Sequence, residues 1–161
     1  METLKTGIIG CGGIANGKHM PTLAKMEDVE MVAFCDIVPE RAQEAARQYG
    51  APGARVYTDY RDLLREAEIT DVRVLTDNSC HRAITIDALE AGKHVLCEKP
   101  LAITYEDAKR MVETSHKTGK LLTVGYQHRY NLDSIYLKKV LEEKIEKAKK
   151  ERKKLIKLDT T

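Results

Sequence analysis

Residues 7–15 read GIIGCGGIA, an apolar run broken by glycines and then resumed. The run before the break, LKTGIIG over residues 4–10, reads as a strand. The stretch after it, IANGKHMPTLAKM over residues 14–26, reads as a helix. Between them Gly10, Gly12 and Ala15 fit the pattern G-x-G-x-x-A. Glycines alone also simply make turns. In a strand–turn–helix setting they permit the tight turn and let a pyrophosphate approach the backbone, while Ala15 keeps helix and strand close. The free N–H groups at the helix start then face the phosphates. Gly10, Gly12, Gly13 and Ile14 are therefore the expected cofactor contacts at this turn, and the expected ligand is a dinucleotide.

Working outward, VEMVAFCD (29–36), ARVYT (54–58), DVRVLTD (71–77), HVLCEK (94–99) and LLTVGY (121–126) read as five more strands. They are short, partly β-branched and mostly without polar alternation, as strands covered on both faces are. Helical spacing fills the gaps: PERAQEAARQYG, DYRDLLREA, AITIDALEAG and TYEDAKRMVETSHKTG. Pro39 stands near one helix start and Gly50 just past its end, and Thr104 precedes Asp107 as a near capping box. Alternating strands and helices predict an α/β fold, a doubly wound parallel sheet with right-handed crossovers. The expected domain covers residues 1–130, followed over 131–161 by a long basic amphipathic helix and tail.

An acidic residue at the end of the second strand completes the dinucleotide pattern. Asp36 follows Gly10 by 26 positions, a little beyond the usual interval of about 20, which the long intervening helix explains. Its carboxylate can accept hydrogen bonds from ribose hydroxyls and would repel a 2′-phosphate, so NAD is expected over NADP. It can equally serve as an N-cap-like residue ahead of Pro39, and the two roles are compatible.

The run HVLCEKPLA (94–102) puts charges directly after an apolar strand. Such charges are costly unless they point into a cleft or find partners. Ligands of open parallel sheets lie outside the carboxyl ends of the strands. There Lys99 would offer an ammonium to a substrate hydroxyl or carbonyl, with partial desolvation bringing it toward a working range. The alternative is that Glu98 and Lys99 merely begin a solvated loop. Pro100 pushes Lys99 toward an extended conformation and makes a cis bond available.

Together GIIGCGGIA, HMPTL, CDIVPERA, ALEAGKHVLCEKPLA and VGYQHRYN resemble the Gfo/Idh/MocA oxidoreductases over roughly residues 4 to 140. The resemblance implies a Rossmann domain binding NAD or NADP, with Lys99 as the catalytic-site lysine that binds the substrate hydroxyl. It also implies that Glu98 helps shape the nicotinamide pocket, that the loop TDNSCH, with Thr76, Asn78 and His81, borders the cofactor, and that Arg129 lies on the substrate side near a domain junction. His81 itself is expected to be a helix-start or structural residue rather than a catalytic one. Two departures stand out. Asp77 replaces the family's usual proline, which is expected to weaken dinucleotide binding or alter the loop. Family members also run to roughly twice this length, their second domain shaping the sugar site and supplying proton-transfer partners for the lysine.

The 161 residues are 42% hydrophobic and 32% charged, as in a globular domain. No run approaches the ~18 apolar residues of a membrane span, and no signal peptide is recognised, so a cytoplasmic location is expected. Cys11, Cys35, Cys80 and Cys97 contain no C-x-x-C spacing. No metal site is expected, and all four are expected as reduced, buried thiols. From Lys138 to Lys157 ten basic residues face four acidic ones, so the basic character lies in the last helix. There Leu137, Leu141, Ile145, Ala148 and Leu155 form a thin apolar stripe, with Glu143–Lys147 and Glu146–Lys150 as i,i+4 pairs. The interleaved glutamates suit a solvated helix better than a nucleic-acid contact.

The leading expectation is thus the cofactor half of a sugar or polyol dehydrogenase. It would be truncated, split or made as a fragment, acting on its substrate only with a second domain or subunit. The alternative is a dinucleotide-sensing module whose added helix engages a partner. An exposed domain face also offers a surface for self-association.

Overall fold

Strands without a polar face can persist only where helices cover both sides of the sheet. The structure, a computed structural model, describes residues 3–158, with side chains described as far as Arg152. Within them lie β1 (Leu4–Ile9), β2 (Val29–Cys35), β3 (Arg55–Tyr57), β4 (Asp71–Val74), β5 (His94–Cys97) and β6 (Leu122–Val124). They form one sheet in the order β3-β2-β1-β4-β5-β6, every neighbouring pair parallel. This is the Rossmann order. The helices are α1 (Met20–Leu23), α2 (Pro39–Tyr49), α3 (Tyr60–Leu64), α4 (His81–Glu90), α5 (Tyr105–Thr118) and α6 (Leu132–Leu158). None of the described helices is long and apolar enough to cross a membrane.

The chain divides between Gly125 and Tyr126 into two compact units. In the first, adjacent residues of β1 bury on opposite faces, as the period of two demands. Ile8 packs in a cluster with Phe34, and Ile9 in another with Ala33 and Cys35. Buried charge is partnered. The Lys93 ammonium donates to the carbonyls of Glu66 (2.6 Å) and Ile69 (2.9 Å), and burial lowers its affinity for the proton.

Several local expectations shift. Each strand ends earlier than the apolar run suggested. The expected helix over 14–26 is interrupted by a π-helical turn, Ala15–His19, before α1. In α4 the helix starts two residues early, at His81, because a 3₁₀ turn over Asn78–Cys80 leads into it. Pro39 opens α2, and Thr104 Oγ1 accepts from the Asp107 N–H (3.1 Å), the expected half of a capping box. Gly50 caps α2 in extended rather than left-handed backbone.

The second unit holds a 3₁₀ turn, Gln127–Tyr130, and α6. Asn131 Oδ1 accepts from the Asp133 N–H (2.8 Å) at the start of the helix, inside the predicted stretch. Leu137, Leu141 and Ile145 are each more than half exposed; the Leu155 side chain lies outside the described residues. Among the described residues the ion pairs of α6 are Lys138–Glu142 (3.8 Å) and Glu146–Lys149 (3.0 Å), not the two anticipated.

The cysteines correct one expectation. Cys11, Cys35 and Cys97 are buried, but Cys80 is exposed, because it sits on the turn leading into α4 rather than in a strand. Burial, reinforced by the Asp36 charge, pushes the Cys11 and Cys35 thiols up to about 12, and burial pushes Cys97 to about 11. A disulfide-exchange reagent at about pH 8 should therefore titrate Cys80 alone in the folded chain and all four thiols in denaturant, with Cys80→Ser abolishing the native reaction. Because the folded state holds these three protons more tightly than the unfolded chain, stability is full below about pH 9 and falls as pH rises toward the folded values. Above about pH 9 the expected slope approaches about 1.4 kcal/mol per pH unit for each thiol, so denaturant unfolding at about pH 8 and about pH 10 should differ by about 1.4 kcal/mol per thiol.

Candidate functional site

The turn after β1 is built on two glycines with different reasons for being glycine. Gly10 has φ +93°, and a Cβ there would stand 2.8 Å from the Leu75 carbonyl and 2.9 Å from the Thr76 nitrogen. Only glycine lets β1 leave the sheet this close to the end of β4. At Gly12 a Cβ would meet nothing within 4 Å, so there the missing side chain leaves open space beside the backbone. Helical turns begin at Gly13, and their leading N–H groups have no partner within the helix. That cradle fits a pyrophosphate.

Two side chains hold the turn. Asn16 donates through Nδ2 to the carbonyls of Cys11 (2.7 Å) and Gly12 (3.0 Å). Asp36, buried at the end of β2, accepts the Cys11 N–H at Oδ2 (2.8 Å) and the Val38 N–H at Oδ1 (2.9 Å). The second bond forms a turn ahead of α2, whose N-cap is Val38 with no side-chain cap, so Asp36 is not the cap-like residue expected. A carboxylate has about four acceptor positions, so each oxygen keeps a lone pair for a hydroxyl.

A cleft of about 670 Å³ opens along the carboxyl ends of β1, β2 and β4. Of the residues expected at the cofactor, Gly10, Gly12, Gly13, Ile14, Asp36 and Thr76 line it. So do Asp77 and Cys80 of the TDNSCH loop, and Ile37, Arg41, Tyr60 and Arg61, which the sequence had not singled out. Ile37 is almost fully exposed (89%). The Arg61 guanidinium lies 4.7 Å over the Tyr60 ring, a stacking geometry, while the Tyr60 hydroxyl donates to Asp87 (2.7 Å). Ile37 and Arg41 come from the entrance to α2, and Tyr60 and Arg61 from the start of α3, where short-range patterning carries no sign that they meet the glycine turn. Asp77 has φ −62°, the value a proline imposes. This backbone is therefore open to proline as well as to aspartate, and the aspartate adds a carboxylate.

Asn78 is exposed on the turn after Asp77. His81 is fully buried and presents no surface to a ligand. Its Nδ1 lies 2.7 Å from the Pro100 carbonyl and its Nε2 3.0 Å from the Thr76 carbonyl. It ties the loop after β4 to the segment after β5 from beneath, a correction to its place among cofactor contacts.

At the end of β5, Glu98 is buried (5% exposed), and Lys99 beside it is exposed. The Glu98 N–H donates to the Val74 carbonyl (2.9 Å), continuing the β4–β5 ladder one residue past the strand. One carboxylate oxygen meets His19 Nε2 at 2.7 Å, and the other accepts the Lys99 N–H at 2.9 Å. The Lys99–Pro100 bond is cis. Among the described residues the Lys99 ammonium has no hydrogen-bond or ion-pair partner. Arg129 belongs to the second unit, exposed on the turn before α6. Sequence reasoning gave no role to Asn16 or to His19; the signal for Asn16 was its spacing, one helical turn after Gly12.

Known proteins share the sequence and fold of this chain. Inositol 2-dehydrogenase of Salmonella typhimurium is 40% identical over 142 residues, 87% of this chain and 42% of that protein. D-glucoside 3-dehydrogenase of Escherichia coli is 39% identical over 135 residues, 84% of this chain and 38% of that protein. The chain thus spans about two fifths of the length of these relatives. Among solved structures, scyllo-inositol dehydrogenase from Lactobacillus casei with bound NAD(H) and scyllo-inositol aligns with TM-score 0.79 and 26% identity, over 88% of this chain and 42% of that one. A 3-ketoreductase from Actinomadura kijaniata in complex with NADP aligns with TM-score 0.81 and 27% identity, over 88% and 44%. The family model described as "Oxidoreductase family, NAD-binding Rossmann fold" matches residues 4–126, and the chain belongs to that family, Gfo/Idh/MocA.

Proposed function

We propose that this chain is the cofactor-binding part of a dehydrogenase acting on a sugar or polyol hydroxyl, with NAD as its preferred dinucleotide. The observation that carries the reading is the placement of Lys99. It is an exposed ammonium at the carboxyl end of β5, two strands from β1, whose glycine turn opens the dinucleotide cleft. In this reading the turn at Gly10–Gly13 holds the pyrophosphate, Asp36 takes the adenosine ribose hydroxyls, and Thr76 and Asn78 border the nicotinamide side. A bound nicotinamide would supply the hydride acceptor or donor. Lys99 would hold the substrate oxygen and take or return its proton. Related sugar and polyol dehydrogenases motivate the substrate class, and the further residues that would select the substrate are proposed to lie in a second domain or subunit.

Preference for NAD follows from charge at the end of β2. Asp36 presents its carboxylate where a 2′-phosphate would stand, next to the apolar Ile37. Calorimetric titration should give NAD an affinity at least about tenfold higher than NADP, a difference of about 1.4 kcal/mol. Asp36→Asn keeps acceptors for the Cys11 and Val38 N–H groups through one oxygen at most while removing the charge, and should bring the two affinities closer together. Equal affinities in the unaltered chain would refute the assignment.

The two glycines give a separate test. Gly12→Val projects into open space and should leave the melting temperature within a few degrees while abolishing dinucleotide binding. Gly10→Ala should cost more than about 2 kcal/mol of stability, from its left-handed backbone and the contact with Leu75. Undiminished NAD binding by Gly12→Val would place the ligand elsewhere. Bound dinucleotide should also protect Cys80 from the thiol reagent.

A further inference from the structure

We propose that His19 is a positioning residue for Lys99, acting through the Glu98 carboxylate. The inference rests on the reading of Lys99 as the proton-handling group. Three elements converge on that carboxylate. His19 closes the π-helical turn that follows the glycine motif and reaches Oε1 at 2.7 Å. Oε2 accepts the backbone N–H of Lys99 at 2.9 Å. Gly125, just past β6, lies against the same group: a Cβ there would stand 2.9 Å from Oε1 and 3.2 Å from Cδ. Gly125 is also fixed in place, its N–H donating to the Cys97 carbonyl (2.8 Å).

A carboxylate buried to this degree is stable only when its oxygens are satisfied. Imidazole Nε2–H on one oxygen and the lysine amide on the other meet that need, and they fix the orientation of the carboxyl plane. Neutral or protonated, the ring can donate from Nε2, so the link does not depend on the charge of the histidine. The helix that starts at the phosphate cradle is thereby tied to the backbone of Lys99, the residue that would meet the substrate. On the other side of Lys99, His81 holds the Pro100 carbonyl. The two neighbours of the lysine are each held by an imidazole.

The test uses the whole chain, ¹⁵N-labelled, and follows amide hydrogen exchange at Lys99 together with NADH binding. His19→Ala removes the donor to Glu98. His19→Gln supplies an amide donor in its place. Gly125→Ala presses a methyl group against the same carboxylate, nearest Oε1. Exchange protection of the Lys99 amide should fall at least about tenfold in His19→Ala and in Gly125→Ala, and stay within about threefold of the unaltered chain in His19→Gln. The amides of Gly12 and Gly13 and the NADH affinity should change less than about threefold in all three. Rescue by glutamine separates positioning through a donated hydrogen bond from a role of the ring in packing. Lys99 protection unchanged in both His19→Ala and Gly125→Ala would overturn the proposal, as would loss in His19→Gln equal to that in His19→Ala. Should His19→Ala fail to fold, Gly125→Ala carries the comparison. Failure of the unaltered chain to bind NADH would refute the dinucleotide reading instead, and the Lys99 amide would still report on the link.

Discussion

One buried carboxylate holds the cofactor end of this domain in shape. Asp36 receives the N–H of Cys11 from the turn after β1 and the N–H of Val38 from the entrance to α2. The turn it holds packs little side chain beyond Cys11, since glycines occupy positions 10, 12 and 13. A glycine-rich segment has much conformational entropy to lose on ordering, and bonds to an ionised group are among the stronger available inside a protein. The same charge also discourages ionisation of the two thiols nearby, Cys11 and Cys35. Structural and ligand-facing duties thus fall on one residue, which is why removing it outright would confound the two.

Much of the fold could be read before any coordinates, because its signals are local. Unalternating apolar runs mark strands covered on both faces, and helical spacing between them leaves a parallel sheet as the economical arrangement. The motif at Gly10–Ala15 and the charges after β5 also lie within single stretches of sequence. What the sequence concealed is whatever joins distant segments. Tyr60 and Arg61 come to the cleft from the start of α3, Ile37 and Arg41 from the entrance to α2, and His19 meets Glu98 across 79 positions. Cys80 was misjudged because an apolar-seeming neighbour of a strand can instead ride on an exposed turn. His81 was correctly suspected of a structural part, yet its two carbonyl partners belong to different loops and are invisible to spacing.

Relatives of this chain share its fold while their solved complexes hold NAD(H) in one case and NADP in another. The sheet and its order therefore do not choose between the two dinucleotides. A choice of that kind rests on a handful of side chains around the end of β2, where a carboxylate, an exposed isoleucine and the guanidinium of Arg41 share one rim of the cleft. Fold and cofactor preference are separable layers of information, one written in hydrophobic pattern and the other in a few surface-facing residues.

The π-helical turn at Ala15–His19 has a consequence for how this family can drift in sequence. Such a turn is wider than an α-helical one, holding its N–H to a carbonyl five residues back; here Met20 bonds to Ala15. Deleting a single residue from it would let the segment relax into regular α-helix, which loses no hydrogen bonding and is locally favourable. It would also turn His19 by about 100° around the helix axis, away from Glu98. Insertions and deletions in this helix are thus constrained by a partner far along the chain, although nothing in the helix's own stability would resist them.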